Sequence, residues 1–97
     1  MNKGVNLSYP NIDSPVTGAK WVNMTRDKRV LLLKDRIQLF SPELDISVID
    51  AQENGQVSII INSKIEINDR GAFMLNLEEH LKNNIDIGVN LWHEAIG

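Results

Sequence analysis

Ninety-seven residues make one ordinary domain, with chain enough for one core and no room for a second. Hydrophobic residues are 42% and charged residues 24%, near the globular average, and the net charge is −3. The chain has no cysteine, which excludes disulfides, thiolate zinc sites, iron–sulfur clusters and cysteine nucleophiles, and no apolar run long enough to span a membrane.

Residues 1–19 are polar and interrupted by Gly4, Pro10, Pro15 and Gly18. Proline fixes φ and lacks a donor, so this stretch reads as a flexible or extended arm ahead of a single globular unit over 20–97. No apolar run follows Lys3, so no secretory leader is expected, and together with the absent cysteine this points to a cytoplasmic setting.

The segment from Arg29 to Phe40 has two apolar runs, Val30–Leu33 and Ile37 with Leu39 and Phe40. Leucine, lysine and arginine favour helix. Their apolar positions nevertheless scatter around a helical wheel and leave no polar face. Two short strands turning near Lys34–Arg36 are therefore expected, ended by Ser41-Pro42.

Asp45–Asp50 and Val57–Ile61 are β-branched runs flanking Asn54-Gly55. Asn-Gly accepts the positive φ that tight turns demand, so a hairpin is expected, with Val48 and Ile59 buried and the second strand continuing toward Ile65 and Ile67. Asn68 or Asp69 then stands where a helix N-cap belongs. Phe73, Met74, Leu77 and Leu81 recur at helical spacing, predicting a helix over about residues 70–83 with a Glu78–Lys82 pair and an Asn83-Asn84 end. Ile87, Val89 and Leu91 alternate as a last strand. The expected fold is α+β: an antiparallel sheet of four to six strands with that one helix packed on a face.

Signals for chemistry are sparse. Only His80 and His93 are present, without a His-Glu-x-x-His spacing. There is no Gly-x-Ser-x-Gly elbow and no phosphate loop; Thr17-Gly18-Ala19-Lys20 lacks the spacing. Glu78 and Glu79 point to different faces of the expected helix, which does not suit a carboxylate pair sharing one substrate. No catalytic, metal or cofactor-binding residue is assigned.

Charge distribution is the unusual feature. Residues 20–36 carry Lys20, Arg26, Lys28, Arg29, Lys34 and Arg36 against Asp27 and Asp35, a local +4. From residue 37 onward ten acidic residues oppose three basic ones, a local −7. A solvated face explains such charges at the simplest level. A protein partner is the stronger functional alternative. Nucleic acid binding through 20–36, with Trp21 stacking on a base, is opposed by a pI near 5.2. Trp92 is a candidate interface anchor.

These observations lead to a small non-enzymatic interaction or assembly protein that binds a protein partner or itself, without a cofactor. Its candidate interaction residues are Trp21, Arg26, Lys28, Arg29, Arg36 and Trp92. The alternatives are a small enzyme or ligand-binding domain with a pocket between sheet and helix, near His80, Trp92, His93 and Glu94, and a nucleic-acid binder.

Overall fold

The computed structural model describes residues 16–94; most of the arm expected over 1–19 lies outside the described residues. In chain order the elements are α1 (Ala19–Val22), α2 (Arg26–Phe40), β1 (Ile46–Ala51), β2 (Gln56–Ile61), α3 (Ile67–Asn84) and β3 (Asn90–His93). The strands form one mixed sheet in the order β1-β2-β3.

The expected antiparallel sheet of four to six strands is thus corrected, among the described residues, to a mixed sheet of three strands, with two long helices and one short turn of helix instead of a single helix. The first cause is residues 29–40, which lie within α2 and form no strands. Thr25 caps this helix, its hydroxyl accepting from the Lys28 N–H at 3.2 Å, and Asp27 sits in the first turn where the helix dipole favours an anion. Arg29, Leu33 and Ile37 are its buried residues, spaced by four along one face. Leu31 and Leu39 are exposed, which is why the apolar residues seemed to circle the helix.

The second cause is the return of the chain. β1 and β2 form the expected hairpin, pairing Ile46 with Ile61, Val48 with Ile59 and Ala51 with Val57, with a register shift between Val48 and Asp50. That irregularity leaves an extra residue on β1, as in a β-bulge. β2 ends at Ile61 and does not reach Ile65; Ile67 already opens α3. The α3 N-cap is Glu66, not Asn68 or Asp69, and gives no side-chain cap bond. The 18-residue helix carries the chain back along the sheet, so β3 enters parallel to β2, pairing Val57 with Leu91 and Ser58 with Trp92. A crossover helix is what makes a parallel neighbour possible.

One core joins the layers. Trp21, Leu33 and Ile37 from the first helices and Leu77 and Leu81 from α3 pack with Val48, Ala51, Val57, Ile59 and Val89. Strand side chains alternate between faces. The core-facing set therefore includes Val48, Val57 and Ile59, and the set opposite holds Ser47, Ser58, Ile60 and Trp92, each in cross-strand register with another of the four.

Gly55 closes the hairpin at φ 95°, its N–H donating to the Gln52 carbonyl at 3.0 Å. The Gln52 N–H donates to the Gln56 carbonyl at 2.9 Å, completing a three-residue loop. A Cβ on Gly55 would lie 2.0 Å from the Gly88 carbonyl oxygen. Gly55→Ala should therefore cost about 2 kcal/mol or more, from left-handed strain and a backbone clash together. Equal urea midpoints for the variant and the parent chain would overturn this account.

Candidate functional site

The basic segment 20–36 folds as α1 and α2, and one of its six cations, Arg29, is directed inward. Arg29 is 5% exposed. Its Nε donates to the Ala51 carbonyl at 2.7 Å, and its Nη1 donates to the carbonyls of Met24 at 2.6 Å and Trp21 at 3.2 Å. The guanidinium carbon lies 5.7 Å from the Trp21 ring centroid, within cation–π range. Trp21 is itself buried, and its indole N–H donates to the Gln52 carbonyl at 2.9 Å. Neither residue offers an exposed face for stacking on a base or anchoring a protein partner.

Arg26 lies on the surface but is also engaged. It donates through Nε to the Asp50 carboxylate at 2.7 Å and through Nη2 to the Ile49 carbonyl. Arg26, Arg29 and Trp21 together satisfy the carbonyls of Ile49, Ala51 and Gln52 along the outer side of β1 and the turn that follows it. Of the remaining sequence candidates, Lys28 is exposed at the start of α2 and Arg36 is half-buried further along it. Trp92 lies on β3, away from this cluster in the sheet order.

The opposite edge of the sheet is different. Asn90 and Glu94 direct their N–H groups to Gly55 and Ile59 carbonyls, so the intervening Leu91 and His93 turn their backbone groups away from β2. Glu78 reaches from α3 to accept the Leu91 N–H at 2.8 Å. Lys82, expected to pair with Glu78, instead donates to the carbonyls of Ile87 and Val89. These two side chains fasten the α3–β3 connection. Trp92 is 57% exposed on the face turned from the core, in register with Ser58. Ile60, half-buried, shares that face.

The remaining titratable groups do not converge on one point. His80 is half-buried rather than on the open surface, its ring 4.9 Å from that of Phe40, with the Asn84 amide 3.2 Å from its Nδ1. Its Nε2 is buried without a hydrogen-bond partner among the described residues. His93 stands at the end of β3 and joins neither His80 nor a carboxylate in a metal-holding group; the described residues contain no such group. Concavities among the described residues include the following two. One, of about 400 Å³, follows β2 and is lined by Asn62, Ser63, Lys64, Ile65, Glu66 and Arg70. The other, of about 410 Å³, lies between the three helices and is lined by Lys20, Trp21, Met24, Lys28, Leu32, Asn84 and Ile85. Neither lies between sheet and helix beside His80 and Trp92, where the ligand-binding alternative was expected. No described helix is long and apolar enough to cross a membrane.

Two anchoring residues escaped the sequence reading. Asp86 accepts from the Gly18 N–H at 3.0 Å and, two residues on, from the Gly88 N–H at 2.9 Å. The second bond is an Asx turn, and Asp-Ile-Gly is a readable signal for it. Nothing local to Glu78 announced its bond to a strand thirteen positions away.

Removing the buried guanidinium leaves carbonyls without donors, and each orphaned acceptor costs about 1–3 kcal/mol. Arg29→Met should therefore destabilise the chain by about 3 kcal/mol, read as a lower urea midpoint. A loss below about 0.5 kcal/mol would show that these bonds contribute little. Asp50 is held below its ordinary carboxyl value of 3.8, first by the Arg26 hydrogen bond and then by that from Gln52. A lowered folded-state value stabilises the fold above 3.8, and that contribution is lost as pH falls through the lower folded value. Stability should therefore drop less in Asp50→Asn than in the parent across that acidic range; identical slopes would remove Asp50 from the acid response.

No protein-family model matches the chain, and neither does any curated protein or solved structure.

Proposed function

We propose that the chain is a non-enzymatic interaction protein that associates with a second copy of itself or with a protein partner. The contact surface is the sheet face turned from the helices, with Trp92 at its centre. The carrying observation is the exposure of this large aromatic on a strand whose neighbours on the same face are Ser58 and Ile60. Tryptophan is enriched at interface hot spots, where a rigid apolar anchor surrounded by small and polar groups excludes water. The side chains Ser47, Gln56 and Asn90 offer hydrogen bonds around it, and Asp50, in register with Ser58 on that face, is already paired with Arg26.

The placement of the basic residues also favours this surface over one built on 20–36. Arg26 and Arg29 bond to the protein's own backbone, which leaves fewer cations to track phosphates. A cytoplasmic setting without a cofactor completes the proposal and accords with the cysteine-free composition.

Sedimentation of the full chain at about 10 µM, a concentration where contacts of micromolar affinity are populated, tests self-association. A dimer or larger species is expected, and Trp92→Ser should return it to monomer while the melting temperature stays close to that of the parent. A monomer at low and high salt alike would defeat the self-association form. Salt-sensitive binding of labelled single-stranded nucleic acid by that monomer would favour the alternative through residues 20–36.

A further inference from the structure

We infer that the groove between the three helices is a binding site for a small amphipathic carboxylate, a ligand with an apolar body and one anionic head. The site goes beyond the proposed association surface and shares no residue with it.

The groove is made by elements distant in sequence. Lys20 and Trp21 come from α1, Met24 from the link to α2, Lys28 and Leu32 from α2, and Asn84 and Ile85 from the end of α3. Lys28 and Leu32 are one helical turn apart and share a face of α2. At about 410 Å³ the space falls within the range of small-molecule sites, roughly 300–1,000 Å³. Trp21, Met24, Leu32 and Ile85 supply buried or half-buried apolar lining. Lys20, Lys28 and Asn84 are the exposed polar members. Both charged residues in the lining are therefore cations, and it holds no carboxylate.

These lysines have no visible structural task. Among the described residues, ion pairs join Arg26 to Asp27 and Asp50, and neither Lys20 nor Lys28 takes part. The end of α3 could have engaged them, since cations favour a helix C-terminus. No hydrogen bond joins either lysine to that end among the described residues; the Asn84 amide bonds to His80 O, and the N–H groups of Ile85 and Asp86 both bond to Leu81 O. Two uncommitted ammonium groups beside an apolar floor complement an anionic head on an apolar body. Lysine is a point charge without the planar fork of arginine, which suits a single carboxylate as well as a larger anion. The apolar floor selects against a bare inorganic anion, which would gain nothing from it. The polar concavity after β2 differs: Glu66 opposes its Lys64 and Arg70, so its lining charges have both signs.

The test uses the full chain and three probes of one length: decanoate, decanol and decyltrimethylammonium, each kept below its micelle concentration. Amide and indole NMR resonances locate binding, because Trp21 lies in the groove and Trp92 does not. Decanoate should shift Lys20, Met24, Lys28, Leu32, Ile85 and the Trp21 indole in a saturable manner, with Kd below about 1 mM. Decanol and the ammonium probe should bind about tenfold more weakly or worse. The double variant Lys20→Gln, Lys28→Gln changes exposed side chains only, so it should keep the parent's melting temperature while losing about tenfold in decanoate affinity. The inference is overturned if no resonance saturates, if decanol binds as well as decanoate, or if the lysine variant binds like the parent. Shifts confined to the Trp92 indole and its neighbours would also overturn it and would assign the ligand to the association surface instead.

Discussion

A guanidinium buried without a carboxylate partner among the described residues organises the first half of the molecule. Arginine remains charged, and moving a charge out of water is costly unless strong hydrogen bonds replace the solvent. At Arg29 three backbone carbonyls and the face of Trp21 take that role. The carbonyls come from α1, from the link that follows it and from the end of β1. One side chain on α2 therefore sets the position of α1, the exit from α1 and the strand edge. Trp21 is held under the same group and donates to the next carbonyl along, that of Gln52. The short α1 has only four residues and no side-chain cap, too little for independent stability. Its place in the fold depends on this cluster.

The cluster also makes the two edges of the sheet unlike. Beside β1, arginine and tryptophan donors meet outward carbonyls, a way of covering an edge that needs no additional strand. Beside β3, Glu78 meets one outward N–H, and Trp92 stands exposed on the adjoining face. The functional proposal follows from this contrast. Charged side chains that look available in the sequence are engaged at one end of the sheet, and the exposed aromatic lies at the other.

What could be read from the sequence was local. Asn54-Gly55 between β-branched runs fixed the hairpin because the turn chemistry is carried by adjacent residues. Leu77 and Leu81 marked the buried side of α3 because their spacing matches the helical repeat. α2 was hidden by two features that each reverse the usual signal. Arg29 takes a buried position normally held by an apolar residue, and Leu31 and Leu39 occupy exposed ones. Strand direction was also hidden. β3 has the same alternation whether it lies parallel or antiparallel, and only the helical path from β2 decides between them. The inward roles of Trp21 and Arg29 depend on carbonyls at Ala51 and Gln52, more than twenty positions away. No spacing rule reaches that far. Trp92 was legible as an interface candidate, whereas the grouping of Lys20 and Lys28 with Ile85 required the helices to be in place.

The bond between the Gly18 N–H and Asp86 spans 68 positions. Thr17 beside it donates to the Glu53 carbonyl at 2.7 Å, and a Cβ on Gly88 would lie 2.6 Å from the Thr17 nitrogen. Thr17 and Gly18 are thus clasped by residues that a ribosome supplies 68 or more positions later. The β1–β2 hairpin and α3 contain their own local contacts and can form as they emerge. This clasp must wait for Asp86 and Gly88, at elongation rates of about 5–20 residues per second. During that interval the segment around Thr17 has no native partner at the β3 end. On the ribosome this long-range contact therefore forms only after the hairpin and α3 have emerged.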